Sequence, residues 1–165
     1  MLKKIFKRTF QILLLAFVVI QFIRPAKNRA EGISNNDISK IYAVPADVEA
    51  ILKTSCYDCH SNNTVYPWYA EVQPAAWWLA DHVKEGKKEL NFSEFASYRL
   101  GRQYRKLEEI NKEVKEGEMP LNAYLWIHNN AKLNDQQKLT LANWVTTVRD
   151  TIKANYPADS LVRKK

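Results

Sequence analysis

The chain is poor in the side chains that bind metals and carry redox chemistry. Its 165 residues include two cysteines, three histidines and two methionines. Two cysteines cannot supply the paired C-x-x-C units of a compact structural zinc module, which needs four ligands. They could close one disulfide, but across three residues so small a loop stabilises little. No stretch alternates apolar and polar residues long enough to read as a strand. That removes the βαβ setting of a thioredoxin-like thiol motif. There is no internal repeat. No general base, nucleophile or metal-water centre can be assembled from the sequence, so an enzyme in its own right is not expected.

Positive charge is scarce where a nucleic acid would need it. The formal net charge is +7. Lys3, Lys4, Lys7, Arg8, Arg24, Lys27 and Arg29 all precede the first acid, Glu31. The other 18 basic residues face 18 acids, so the remainder of the chain is neutral. A nucleic-acid face would need the excess in the folded body, and no nucleic-acid partner is expected. Hydrophobic residues make up 46% and aromatic residues 12%, enough for a real core.

What the N-terminus does hold is a basic start followed by an apolar run. Phe10 to Ile23 is broken only by Gln11 and Gln21. As a helix this run is ~21 Å long at ~1.5 Å per residue, against the ~20 apolar residues of a usual span. Lys7, Arg8 and Arg24 can snorkel and extend it. Residues 1–24 therefore read as a signal anchor or a cleaved signal peptide. No small-x-small site follows directly, and Arg24-Pro25 stands there instead, which favours the anchor. Either reading exports the body, to the periplasmic side of a bacterial cytoplasmic membrane. Residues 25–44 read as a polar tether, 45–156 as the folded domain and 157–165 as a solvated tail.

The folded part is expected to be all-α. Pro45-Ala46-Asp47 starts a helix, with Val48, Ile51, Leu52 and Ser55 at helical spacing up to Cys56. Residues 61–73 are turn-rich and aromatic. Pro74 opens the next helix, with Trp77, Trp78 and Ala80–Val83 on its apolar face and Gly86 ending or loosening it. Asn91 or Ser93 can cap a third helix. Its stripe is Tyr98, Leu100, Tyr104, Leu107, Ile110 and Val114, and Gly117 stops it. A loop runs from Met119 through Asn130. The last helix starts at Asn134 and presents Leu139, Leu141, Ala142, Val145, Val148 and Ile152, with Trp144 alongside, until Pro157. The five tryptophans, Trp68, Trp77, Trp78, Trp126 and Trp144, are expected mostly in the core or against a cofactor. Phe92 and Tyr124 are undecided.

Both cysteines and one histidine stand together in Cys56-Tyr57-Asp58-Cys59-His60. Covalent haem attachment, zinc binding and thiol redox compete for this spacing. Cysteines three apart on one turn can reach the two vinyl groups of one porphyrin edge, and the next residue then lies under the iron. His60 is the proximal ligand in that reading, and the N-terminus supplies the export that c-type haem attachment requires. His82 and His128 could complete a zinc set, but their long, irregular spacing matches no compact module. For the sixth iron position Met119, in Glu118-Met119-Pro120, is the candidate. A thioether there raises the reduction potential. His128 and His82 are the alternatives, and Met119 could instead fill a core gap.

The order of helix, CxxCH, aromatic segment, Met-Pro and a closing LANWV helix resembles class I monohaem c-type cytochromes. A closer similarity is to the "haem-binding domain" family of bacterial exported proteins. It is carried by CYDCHSNNTVYPWY, AWWLADHVKEGKKELNFSEF, GEMPLNAY and IHNNAKLN, over roughly residues 45–150. The resemblance implies one covalent haem c and an exported location. In class I cytochromes a Met before a Pro-containing loop is the distal ligand, which falls here on Met119. The function expected is a membrane-tethered monohaem cytochrome that carries electrons to redox partner proteins. The alternatives are a haem-based sensor of redox state or a small gas, and a peroxidase-like open haem site.

Overall fold

The structure, a computed structural model, describes residues 1–162. Of the tail read at 157–165, residues 163–165 lie outside the described residues. Seven α-helices are present: α1 (Leu2–Ile20), α2 (Ala46–Ser55), α3 (Tyr57–His60), α4 (Ala75–Glu89), α5 (Leu100–Glu116), α6 (Asn122–Leu125) and α7 (Asp135–Asn155). Short 3-10 turns link several of them, and no strand occurs among the described residues.

The core is built from α2, α5 and α7. α2 buries Val48, Ile51 and Leu52, and α5 buries Leu107, Ile110 and Val114 on one stripe. α7 answers with Leu141, Trp144, Val145, Val148 and Ile152. Each such side chain contributes roughly 1.5–3 kcal/mol when fully buried. α7 starts on a capping box, in which Asn134 accepts from the Gln137 N–H while the Gln137 side chain accepts from the Asn134 N–H. Gly117 ends α5 with φ +80°, a left-handed turn that frees the chain to reverse into Met119.

Several expectations need correction. The third helix does not begin at Asn91 or Ser93. The Asn91 side chain does cap a turn, but it is a 3-10 segment, Phe92–Ser97, that sends Phe92 and Phe95 into the core. α5 starts only at Leu100. The first helix stops at Ser55, and Cys56, at φ −129° and ψ −44°, breaks it from α3. Leu139 points outward at 53% exposure, because burial on α7 begins two residues further on, at Leu141, on another side of the helix. Of the tryptophans only Trp144 is core, its indole N–H bonded to the Ala43 carbonyl. Trp68 and Trp126 are about 80% exposed, and Trp78 is half exposed. α4 instead buries the smaller Ala76, Leu79 and Val83.

Residues 25–44, read above as a tether, are bonded to the body. Ile38 is fully buried in the main core. Asn28 binds the loop that follows His60 through four hydrogen bonds. α1 itself buries no residue. No helix among the described residues is long and apolar enough to cross a membrane.

Candidate functional site

The C-x-x-C-H segment is held as a single turn between α2 and α4. Cys59 N–H and His60 N–H both bond back to the Cys56 carbonyl, which closes the turn. Gly86 lets α4 approach this turn closely. A Cβ at Gly86 would lie 2.7 Å from the Cys59 carbonyl oxygen and 3.1 Å from Cys59 Cβ. Gly86 therefore neither ends nor loosens α4, which continues to Glu89.

Close approach lets α4 set the histidine. His60 Nδ1–H is shared between the carbonyls of Gly86, at 2.9 Å, and Leu90, at 3.0 Å. That fixes the neutral tautomer and leaves Nε2 as the ring's lone-pair donor, the arrangement a metal-ligating imidazole needs. Burial lowers the His60 pKa and nearby Lys106 adds to this, while the two carbonyl bonds oppose them.

Both cysteines are free and half-buried. Burial, followed by the neighbouring Cys59, pushes Cys56 up to about 12, and burial, followed by Asp58, pushes Cys59 up to about 11. They are neutral thiols, whereas redox-active cysteines are kept as thiolates by depressed pKa values. Among the described residues no three His, Cys, Asp or Glu side chains gather as a metal-holding group. Both facts weigh against the thiol-redox and zinc readings.

Two adjoining hollows of about 320 and 300 Å³ flank this turn, and their walls are mainly apolar. They share Ser55, Cys56, His60, Glu89, Met119 and Pro120. Cys59 lines the first. Phe92, Ile110 and Val114 line the second. The volumes fall in the range of small-molecule and cofactor sites. The structure thus brings Cys56, Cys59, His60 and Met119 to one cleft, 59 residues of sequence apart at the extremes that matter for the iron, His60 and Met119.

The two alternative histidines separate. His82 lines the first hollow beside Asp81 and Glu85. Its Nδ1–H donates to the Trp78 carbonyl at 2.9 Å, and its ring lies against Trp78 with centroids 4.1 Å apart. His128 lines neither hollow. It is hydrogen-bonded through Nε2 to the Tyr69 hydroxyl at 2.9 Å and stacked on Tyr124 at 4.2 Å. His128 is therefore a support for Tyr124, which does line the cleft.

Sequence reasoning missed part of this support. Tyr124 donates to Asp58 Oδ2 at 2.8 Å, and the Val65 N–H donates to Asp58 Oδ1 at 2.9 Å. Burial, then the bond to Asp58, raises the Tyr124 pKa, so the phenol stays protonated. Asp58, inside the motif, thereby ties the α3 turn to α6. The signal was an acid between the cysteines, legible only once a partner was known.

A helical body, two neutral thiols and an oriented imidazole on one apolar cleft define a domain made to hold a flat prosthetic group. A family model for the haem-binding domain matches residues 15–147, and the chain belongs to that family. It is a haem-binding protein, and the donor set and cleft fit haem. No curated protein and no solved structure matches the chain.

Proposed function

We propose that the protein is a monohaem c-type cytochrome, tethered to the bacterial cytoplasmic membrane, that carries electrons on the periplasmic side. The observation that carries this reading is the His60 ring, pinned by two backbone carbonyls in the cleft that both free thiols and Met119 line. Cys56 and Cys59 would each add across a vinyl group, sulfur to one carbon and the thiol proton to the other, with no outside oxidant. His60 would hold the iron through Nε2, and Met119 would hold it through its thioether. Bound haem supplies a one-electron iron couple. The chain's own part is to hold the ligands and exclude water, with Phe92, Ile110 and Val114 giving the second hollow its apolar wall. Neutral nitrogen and thioether donors in an apolar cleft favour the reduced iron and raise its potential. We read the protein as a carrier for redox partner proteins rather than an enzyme.

A second reading rests on His82, which lines the first hollow with Asp81 and Glu85. If His82 takes the sixth position, the potential falls. If the position stays open, the protein is a sensor of redox state or a small gas, or a peroxidase-like site with His82 as the acid-base group.

The test is the visible spectrum of the haem-matured, reduced protein with and without carbon monoxide. A six-coordinate spectrum that carbon monoxide does not move supports the carrier. Ready carbon monoxide binding overturns it in favour of the second reading. Absence of covalent haem, where a control cytochrome matures, overturns both.

A further inference from the structure

The segment between the apolar run and the domain is not a loose connection. Gln73, 1% exposed, sits at its centre. Its N–H donates to Gln21 Oε1 at 2.9 Å, and its amide donates to the Ile23 carbonyl at 3.0 Å. The Trp77 indole N–H reaches the same Ile23 carbonyl at 2.8 Å. Glu71 pairs with both Arg24 and Lys27. Asn28 then engages the loop after His60. Its N–H donates to the Tyr66 hydroxyl at 2.6 Å, and its amide donates to the Ser61 carbonyl and to Thr64 Oγ1, both at 2.9 Å. Finally the Ala30 N–H donates to Asn63.

A removable leader would not satisfy a buried glutamine. Cutting the chain between residues 23 and 30 would release Gln21 and Ile23 and leave the buried Gln73 N–H and side-chain NH2 without acceptors, an expensive state for an amide. The strap also leaves an apolar surface open. α1 presents Leu13, Leu15 and Val19 without a partner, and this surface continues into Phe22, at 83% exposure, and Ile23. The turn clasped by the strap adds Trp68, at 79%, and Val72. Arg29 stands over the Tyr66 ring at 5.7 Å and makes no ion pair among the described residues. Apolar side chains with a tryptophan and a cation at the edge suit the headgroup level of a bilayer.

We propose that residues 21–30 are a permanent structural strap that seats the haem domain on the lipid surface, with Phe22, Val72 and Trp68 in the interface. This rests on the membrane-tethered reading and replaces its flexible tether with a fixed mount. It also suits an apolar run of only ~21 Å, because seating the body brings Trp68 and Val72 to the interface beside the end of that run.

The experiment uses the full haem-loaded chain in vesicles of phosphatidylethanolamine and phosphatidylglycerol, with and without brominated acyl chains. Floated vesicles are read by tryptophan fluorescence and by amide exchange, and the protein mass is taken. Expected are an uncut strap, bromine quenching that falls in Trp68→Phe, and protected amides at Asn28, Ala30 and Gln73. Gln21→Ala alters a half-exposed residue and leaves the core intact. It should speed exchange at Gln73 by about tenfold, as loss of one or two hydrogen bonds does. Flotation with freely exchanging strap amides or an unquenched Trp68 overturns the mount while the tether stands. Cleavage between 20 and 30, or failure to float, overturns the tether and the mount together.

Discussion

Replacing Gly86 with alanine should destabilise the protein, although in an exposed helix interior the same change stabilises. Helix propensity alone favours alanine by about 1 kcal/mol. Here the new Cβ would meet the Cys59 carbonyl oxygen at 2.7 Å and Cys59 Cβ at 3.1 Å. The first is backbone in a hydrogen-bonded turn and cannot rotate away. α4 must back off, and overpacking of this kind costs about 1–3 kcal/mol. Backing off also draws the Gly86 carbonyl from His60 Nδ1, a bond worth about 1 kcal/mol. The net is a loss of about 2 kcal/mol, or a fall in Tm of roughly 5–10 °C. Guanidinium unfolding of the haem-loaded protein, followed by far-ultraviolet dichroism, measures it. The Soret band should also shift, since the proximal imidazole is less firmly oriented. A Gly86→Ala protein as stable as the parent, with an unchanged spectrum, would falsify the close-approach argument.

Further outcomes follow from the site. Met119→Ala should convert a six-coordinate reduced spectrum into one that carbon monoxide readily shifts, and adding His82→Ala should change nothing more. If the double variant alone binds carbon monoxide, His82 is a ligand in the absence of Met119. Tyr124→Phe removes the donor to Asp58 Oδ2 and should cost about 1 kcal/mol with covalent haem retained. Unfolding at the parental denaturant concentration would show that the tie from α3 to α6 carries no stability. In the haem-free chain, iodoacetamide alkylation should climb about tenfold per pH unit from pH 8 to pH 10, because the thiolates form only near 11 and 12. A plateau below pH 9 would mean that burial does not raise these thiols.

The proposed centre of the site could be singled out from sequence because C-x-x-C-H compresses it into five consecutive residues. The apolar stripes of α5 and α7 were legible for a similar reason, since helical periodicity is local. What escaped was non-local. Gly86 resembles a helix stop until Cys59 is placed against it. Asn91 and Ser93 carry a capping signal, which is equally that of a 3-10 turn, and only the burial of Phe92 and Phe95 decides between them. Residues 25–44 look patternless because their partners, Ser61, Asn63, Tyr66 and Glu94, lie more than thirty residues away. Of the two alternative histidines the sequence favours His128, in the apolar stretch Tyr124–Asn130, but the fold reverses this, since His82 and not His128 lines a hollow.

Closure of the fold over this turn sets an order of events. Ser55, the residue before Cys56, donates to the Ala131 carbonyl 76 positions later, and Ala43 accepts from Trp144 at a separation of 101. A chain delivered from its N-terminus therefore exposes both thiols well before the elements that enclose them exist. Once α7 docks, those thiols are half-buried and protonated. The interval between emergence and closure is the natural window for loading the prosthetic group. A delay in closing, rather than a more reactive cysteine, would then be what widens it.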